Sequence, residues 1–285
     1  MTPLAGDRRD RPRERFGFFW DPLFAALRAS VNHVRSFYAA IGIFITAGAL
    51  LALAGTWAFA ALAIHVRSGA TQAFDNAILR WVAAHQVPWI HVAMVQVTAL
   101  GTGVVVMMVV AVAALFLWLT RHRHSAALLL VTTVVGILIN SMLKDVFHRD
   151  RPSVFSSGVE VFSSSFPSGH SMSAAIVYGT VAYLAARLQQ RHWSRIVTAV
   201  IALLLILVIA SSRIYLGVHY PSDTLAGMVI GFAWAAFCMA TLEAIQLIAR
   251  RRAPEALEDE QPVDAPRPAT RTEDGRGAIG SAFGG

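Results

Sequence analysis

The sequence predicts an all-α fold, a polytopic membrane bundle of six transmembrane helices. Of the 285 residues, 56% are hydrophobic and only 14% are charged, whereas about a quarter of the residues in soluble domains carry a charge. Apolar segments close to the roughly 20 residues that a helix needs to cross a bilayer recur along the chain. The arginines between these segments are distributed unevenly, as is usual for polytopic membrane proteins. A single bundle leaves no room for a second sizeable domain.

The apolar segments predict the spans directly, because continuous apolar sequence of this length fits no strand pattern of soluble proteins. In chain order the six predicted spans are Phe37–Ile64, Val92–Leu119, Ser125–Leu143, Ser171–Ala186, Ile196–Ala210 and Thr224–Ala249. The fourth and fifth are short. The predicted membrane domain covers residues 37–252, between an N-terminal arm (residues 1–36) and a C-terminal tail (residues 253–285).

Three segments outside the spans have distinct compositions. In the arm, apolar side chains recur at helical spacing among arginines, which fits either an amphipathic helix on the inner membrane surface or a disordered basic segment. These side chains are Trp20, Leu23, Leu27, Val31 and Val34. After the first span the same spacing predicts an interfacial helix containing Phe74, Ile78, Trp81 and Val82. The tail has no apolar periodicity, so we expect it to be disordered. The length of the arm and of the first span does not fit a signal peptide.

The positions of the arginines predict the orientation in the membrane. Clusters in the arm, after the second and fourth spans and after the sixth span lie on one side, which is cytoplasmic by the positive-inside rule. Both termini are therefore predicted to be cytoplasmic, in a multi-pass protein of the cell membrane. The net charge of +7 follows this topology, and no nucleic-acid partner is predicted. The other side keeps only Arg67, Arg80, Lys144, Arg149, Arg151 and Arg213.

The sequence predicts no cofactor and no metal site. The single cysteine, Cys238, lies in an apolar segment and excludes an intramolecular disulfide and a cysteine-based metal cluster. His122 and His124 lie on the inner side near arginines, where they are weak candidates for metal ligands. No cluster of Asp and Glu, phosphate-binding glycine loop or His/Cys pattern indicates a metal.

Ionisable residues on the outer side gather in three segments, the first of which is KDVFHRDRP from Lys144 to Pro152. On a continuous helix Lys144 and Arg151 would share a face, whereas Pro152 disfavours helix at Arg151 and favours a segment that folds back. Either arrangement brings two cations together. Arginine binds phosphate through paired hydrogen bonds and lysine binds it as a point charge. The alternative is an ordinary pair of cations flanking a span.

The second segment, FPSGHS, precedes the fourth span. Ser168 is a suitable helix N-cap, and a helix N-terminus offers free backbone N–H groups to an anion. Gly169 would let the anion approach the backbone, and His170 would stand beside it with a proton to give. The alternative is a capped helix that carries an interfacial histidine.

The third segment, SSRIYLGVHYPSD, lies between the fifth and sixth spans. His219 and Asp223 are four residues apart, so one helical turn could join them. A carboxylate on one ring nitrogen of a histidine sets the tautomer and leaves the other nitrogen as a nucleophile. Arg213 supplies a third cation. A His–Asp pair that only caps the sixth span is the alternative, and it does not explain Arg213.

Together the three segments fit phosphoryl transfer through a histidine. In this hypothesis His219 attacks phosphorus and Asp223 orients it, while His170 protonates the leaving oxygen and later activates water. Charge on the phosphate oxygens is stabilised by backbone N–H groups and by cations. The cations are Lys144, Arg151 and Arg213.

With these residues the sequence closely resembles the type 2 phosphatidic acid phosphatase superfamily. The superfamily's three motifs, K-x6-RP, PSGH and SR-x5-H-x3-D, are matched by Lys144–Pro152, Pro167–His170 and Ser212–Asp223. The resemblance covers roughly residues 74–249. It implies a metal-independent membrane enzyme acting at the outer face on a lipid phosphate or diphosphate, with three groups of site residues. They are phosphate-binding Lys144, Arg151 and Arg213 with Ser168 and Gly169 assisting, the general acid His170, and the nucleophile His219 with its orienting Asp223.

Other functions remain open on the sequence alone. A lipid phosphotransferase of the same superfamily would pass the phosphoryl group to an alcohol instead of water. A proton-coupled transporter would place its charges near the bilayer midplane, whereas these fall at span ends. Vanadate-dependent haloperoxidases have a similar pocket but are soluble. Phosphatidate, phosphatidylglycerol phosphate, diacylglycerol diphosphate and polyprenyl diphosphate all fit the motifs, which recognise the phosphate and not the lipid.

Overall fold

The computed structural model describes residues 42–43, 45–153 and 163–259. Contacts between residues divide the chain into Met1–Gln246 and Leu247–Gly285, and the membrane bundle belongs to the first unit. Regular structure in the described part is entirely helical, which confirms the all-α prediction. The helices are α1 (Ile45–Arg67), α2 (Gln72–Ala84), α3 (Pro88–Ala99), α4 (Gly103–Leu119), α5 (Arg123–Val146), α6 (Gly169–Leu188), α7 (His192–Tyr215) and α8 (Pro221–Asp259).

Five of these helices are long and apolar enough to cross a membrane, namely α1, α5, α6, α7 and the Pro221–Gln246 part of α8. The pair α3 and α4 meets the same criteria only together, and it is bent by 50° at its break. Counting this pair as one span gives the predicted six. The helices α6 and α7 extend past the predicted fourth and fifth spans, because their helical backbone continues through polar residues such as His170 and Arg213.

The break between α3 and α4 differs from the continuous span predicted over Val92–Leu119. Gly101 lies at the break, where an added Cβ would come within 2.8 Å of Ile209 Cγ2 and 3.0 Å of His170 Cδ2. The carbonyl of Leu100 accepts a hydrogen bond from the Tyr178 hydroxyl at 2.7 Å. Breaks at membrane depth are tolerated when such partners satisfy the freed backbone groups. The break therefore brings the chain against the start of α6.

The helix α2 lies where the apolar spacing predicted an interfacial helix. Its 13 residues rise about 20 Å, which is too short for a hydrocarbon core of about 30 Å. Phe74 and Trp81 are 65% and 63% exposed, while Leu79 and Val82 are buried. The helix also buries a carboxylate, Asp75, whose side chain is fully inaccessible to solvent. A buried charge in a short helix requires partners.

The predicted arm and most of the predicted tail lie outside the described residues. The amphipathic helix proposed for the arm (residues 1–36) therefore stays a prediction. The helix α8 is described as far as Asp259 and so overlaps the first residues of the predicted tail (residues 253–285). The disorder of the tail likewise stays a prediction.

The helices that carry the second and third motifs pack closely where α6 meets α8. A Cβ at Gly227 of α8 would lie 2.5 Å from the Ser168 carbonyl oxygen and 3.2 Å from the Met172 amide nitrogen. Only glycine permits this approach, because small residues let helix backbones come together in membrane proteins. The contact places the start of α6 beside the start of α8, where the Ser168 amide donates a 3.0 Å hydrogen bond to the Asp223 carbonyl.

Replacing Gly227 by alanine should therefore destabilise the bundle. The obstructing atoms belong to the α6 backbone and cannot rotate away, so we expect a loss of about 1–3 kcal/mol, typical of overpacking. Thermal unfolding of the purified protein in detergent measures the effect. Gly179→Ala is the matched control, because its Cβ would meet only Phe232 Cε1 at 3.9 Å. A Gly227→Ala protein as stable as the control would contradict the packing described here.

Candidate active site

The first predicted segment leaves the helix after Val146, the last residue of α5, and folds back. Lys144 and Arg151 converge on Ser163, whose hydroxyl lies 3.3 Å from Lys144 Nζ and 3.1 Å from Arg151 Nη2. Arg151 also donates to the Ser163 carbonyl at 3.0 Å. Of the two arrangements left open by the sequence, the structure has the folded-back one, as Pro152 favoured.

The second segment forms the capped start of α6. Ser168 is the N-cap, and its side-chain oxygen accepts a hydrogen bond from the backbone of Ser171. Gly169 and His170 begin the helix. A Cβ at Gly169 would lie only 3.1 Å from Asn140 Oδ1 and 3.8 Å from Lys144 Nζ. The free N–H groups of this turn therefore lie next to a cation, which suits an anion.

The third segment begins with Arg213 in the last turn of α7. Arg213 is 8% exposed, and its Nη1 donates a 2.7 Å hydrogen bond to the Thr98 hydroxyl of α3. Its Nε is buried and has no hydrogen-bond partner among the described residues. Because a buried donor without an acceptor costs about 1–3 kcal/mol, the guanidinium is well suited to an anionic ligand.

His219 follows α7 and is almost completely buried, at 2% exposure. Its Nε2 lies 3.3 Å from Arg151 Nη1. Since arginine can only donate, Nε2 is the acceptor, and we assign the ring proton to Nδ1. The lone pair of Nε2 consequently lies on the side of the ring that faces Arg151.

The opposite nitrogen of His219 faces Asp223 and Ser165. Nδ1 lies 3.6 Å from Asp223 Oδ2, beyond hydrogen-bond distance, and 3.4 Å from the Ser165 hydroxyl. Ser165 in turn donates to Asp223 Oδ2, as does the Tyr220 amide at 2.9 Å. His219 and Asp223 are therefore close together without a direct hydrogen bond, and the Ser165 hydroxyl contacts both side chains.

The protonation of His219 is set by its surroundings. Burial lowers the pKa of His219 most strongly, Asp223 raises it and the charges of Arg151 and Arg213 lower it, and together these effects leave a pKa of about 4. The imidazole is therefore neutral near pH 7. A neutral ring with an unprotonated Nε2 is the form in which histidine acts as a nucleophile.

A cavity of about 490 Å³ joins the three segments. Six of the eight candidate site residues line it, and the structure therefore brings them together. They are Lys144, Arg151, Gly169, His170, Arg213 and His219. Ser168 and Asp223 are fully buried behind the cavity wall, which suits a helix cap and an orienting carboxylate. No structural fact tests the chemical role of any of the eight residues, and these roles stay predictions.

One wall of the cavity was not predicted from the sequence. His91, Val95, Thr98 and Thr102 line it from α3 and the break. Their spacing fits one face of a helix, but three of them lie inside the predicted span Val92–Leu119, His91 lies just before it, and none belongs to a motif. Ser163 and Ser165 were also missed, and serines in a loop carry no signal by themselves. Two buried charges outside the cavity, Asp75 and Arg149, were not predicted as site residues either.

The candidate metal ligands His122 and His124 lie apart from this cavity. His122 precedes α5 and its ring nitrogen contacts Thr120, at the opposite end of α5 from Lys144. Within residues 42–43, 45–153 and 163–259, no group of three or more His, Cys, Asp or Glu side chains could hold a metal ion.

Comparison with known proteins agrees with the geometry. Residues 125–246 match the model of the PAP2 superfamily. The chain is 32% identical over 178 residues to phosphatidylglycerophosphatase B of Bacillus subtilis, covering 61% of this chain and 85% of that protein. It is 29% identical over 120 residues to the undecaprenyl-diphosphatase of Sulfolobus acidocaldarius, covering 40% of this chain and 53% of that protein.

A solved structure shows the same fold. The crystal structure of a transmembrane PAP2 type phosphatidylglycerolphosphate phosphatase from Bacillus subtilis matches with a TM-score of 0.64 and 29% identity. The match covers 68% of this chain and 96% of that one. With these relatives and its apolar spans, the chain belongs to the PAP2 superfamily and is a multi-pass membrane phosphatase.

Proposed function

We propose that this protein hydrolyses a phosphomonoester or diphosphate of a lipid through a phosphohistidine intermediate. One observation carries the proposal, namely that a single cavity joins three cationic side chains to the Nε2 side of His219. The cations are Lys144, Arg151 and Arg213. Such a cavity can hold a phosphate group and present a nucleophile to it.

In the first half of the proposed reaction the cations and the N–H groups at the start of α6 bind the phosphate oxygens. The lone pair of His219 Nε2 forms a bond to phosphorus, while the bond from phosphorus to the lipid oxygen breaks. His170 gives its proton to that leaving oxygen. The imidazolium that forms on His219 is stabilised by Asp223 on the Nδ1 side.

In the second half water releases the phosphate. The unprotonated His170 accepts a proton from water, whose oxygen forms a bond to phosphorus as the bond from phosphorus to Nε2 breaks. The electron pair returns to His219. The positive charges on Lys144, Arg151 and Arg213 stabilise the charge on the phosphate oxygens in both halves.

The proposed substrates share a lipid phosphate or diphosphate. The relatives are named for phosphatidylglycerol phosphate and undecaprenyl diphosphate, and both groups fit the charge of the cavity. The protein spans the membrane, so lipid substrates reach it from the bilayer. We further propose that both termini are cytoplasmic and the cavity opens to the outer face, because the arginine clusters lie at the other ends of the spans.

Replacing His219 by alanine should abolish phosphate release. Without Nε2 no bond to phosphorus forms, and we expect at least about a thousandfold loss of kcat. The measurement is phosphate release in detergent from phosphatidate, phosphatidylglycerol phosphate, diacylglycerol diphosphate and a polyprenyl diphosphate. His65→Ala, an exposed histidine of α1, is the control. Activity that survives in His219→Ala would eliminate the nucleophile assignment.

The same assay separates the alternative mechanisms. Activity should persist in EDTA, and its loss there would contradict a metal-independent reaction. Labelled phosphate that moves to an added alcohol lipid, with no release from any of the four substrates, would identify a phosphotransferase.

The acid limb of kcat/KM should shift to higher pH when Arg151 is replaced by glutamine. The positive charge of Arg151 lowers the pKa of His219, so its removal raises that pKa. On acidification, His219 of the variant therefore becomes protonated, and loses its nucleophilic form, at a higher pH than in the wild-type protein. Both pH profiles use one substrate, so its own ionisation is common to them. Arg67→Gln, an exposed arginine outside the cavity, should leave the limb in place, and an unchanged or lower limb in Arg151→Gln would refute the coupling.

The orientation can be tested with single cysteines in a Cys238→Ala background. Asp150→Cys, exposed after α5, should react with a membrane-impermeant thiol reagent added to intact cells. Gln190→Cys, exposed between α6 and α7 at the other end of the bundle, should react only after lysis. The reverse pattern would place the cavity on the cytoplasmic face.

A further inference from the structure

A largely buried ionic cluster lies beside the cavity and joins the motif residue Asp223 to Asp75 and Arg149, neither of which is a fixed position of the superfamily motifs matched above. The guanidinium of Arg149 contacts two carboxylates, with Nη1 2.6 Å from Asp223 Oδ1 and Nη2 2.9 Å from Asp75 Oδ2. Both carboxylates are completely inaccessible to solvent, and the Arg149 side chain is 12% exposed. We call Asp75, Arg149 and Asp223 the carboxylate clamp.

The clamp joins α2 to the start of α8. Asp75 accepts hydrogen bonds from the Ser222 amide at 3.0 Å and from the Ser222 hydroxyl at 2.6 Å. Arg149 adds a 2.8 Å bond to the same hydroxyl and a 3.1 Å bond to the Gln72 side chain. Its guanidinium also stacks over the Tyr220 ring, 4.1 Å from the ring centre. The arginine is therefore held in one orientation from several sides.

Within the clamp the two oxygens of Asp223 have separate partners. Oδ1 is bound by Arg149, whereas Oδ2 accepts from Ser165 and the Tyr220 amide and faces Nδ1 of His219. A carboxylate bound at one oxygen by a guanidinium cannot rotate freely. Arg149 thus directs Oδ2 toward His219.

The charges of the clamp explain why two carboxylates are needed. If Arg149 bound Asp223 alone, the two would form a neutral pair. The arginine would then cancel most of the negative charge that Asp223 presents to His219. Asp75 shares the guanidinium, so the three groups together carry one net negative charge beside the ring. A negative charge at this place stabilises the imidazolium that forms when His219 attacks phosphorus.

Arg149 also differs from the other arginines of the outer side. Arg151 and Arg213 line the cavity, whereas Arg149 does not. Its Nη1 and Nη2 are both bound by protein carboxylates, so they are not free for a phosphate. Its backbone is held too, because its carbonyl accepts from the Ser165 amide at 2.9 Å.

We propose that Arg149 and Asp75 are positioning residues for the nucleophile. Asp75 orients Arg149, Arg149 orients Asp223, and Asp223 orients His219. Neither Asp75 nor Arg149 touches the substrate. This inference rests on the proposed phosphatase function and adds α2, which lies outside the residues matched to the superfamily model, to the parts that the reaction requires.

A double-mutant cycle tests the proposal with the full-length protein in detergent. Asp75→Asn and Arg149→Gln should each lower kcat by up to about a hundredfold, the cost of misplacing a reacting group. KM should change by less than about twofold, because the phosphate-binding cations are intact. The double variant should lose little more than the single variants, since both act through one chain of contacts. Arg149→Lys should restore part of the loss by retaining the charge.

Matched controls separate positioning from general loss of charge. Asp145→Asn and Arg80→Gln remove exposed charges of α5 and α2 outside the cavity, and kcat should not change. Size-exclusion profiles and thermal unfolding report whether each variant folds. If Asp75→Asn is not monodisperse, Ser222→Ala takes its place, because it keeps all three charged groups and removes only the hydroxyl that donates to Asp75 and accepts from Arg149.

Three results would overturn the inference. The first is full kcat in folded Asp75→Asn and Arg149→Gln. The second is that the losses in kcat add up in the double variant. The third is that only KM or thermal stability changes, as expected if the ion pairs only stabilise the fold. In each case the wild-type protein still releases phosphate. A wild-type protein inactive on all lipid phosphates would instead overturn the proposed function and this inference with it.

Discussion

The buried carboxylate of Asp223 is the group on which the arrangement of the cavity end of the bundle depends. Its backbone carbonyl accepts from the Ser168 amide at the start of α6, and its side chain binds Arg149, Ser165 and the Tyr220 amide. A carboxylate without such partners would be too costly to bury. The hydrogen bonds to this carboxylate and to its backbone carbonyl hold α6, α8 and the segment after α5 together beside His219.

The cavity next to this carboxylate is lined by positive charges that the described residues do not neutralise there. Three cations line it, and Arg213 has a buried nitrogen without a partner in the described part of the chain. Like charges held together in a site of low polarity destabilise the free protein, but they require no rearrangement when an anion enters. The break between α3 and α4 adds Thr98, which binds Arg213, and Gly101, which permits close contact with His170.

Much of this could be predicted from sequence because the relevant signals are local. Hydropathy identified the six spans, and the intervals within three short motifs identified Lys144, His170 and His219 as residues of one site. The bend at Gly101 was not predicted, because the long apolar segments on both sides of Gly101-Thr102-Gly103 fit one continuous span, and the contacts of the bend with α6 and α7 join residues distant in sequence. The start of α6 was predicted too late and the end of α7 too early, because the polar residues His170 and Arg213 lie inside these helices.

The sequence by itself determined the class of protein, the number of spans and the residues that could bind and attack a phosphate, because composition and motif spacing depend only on neighbours along the chain. Only the tertiary structure decided which charges line the cavity and which bind other side chains of the protein. Arg149 and Arg151 are two residues apart, yet Arg151 lines the cavity and Arg149 binds Asp75 and Asp223. Their partners come from helices distant in sequence, and the folding of α2 against α8 brings those carboxylates within reach.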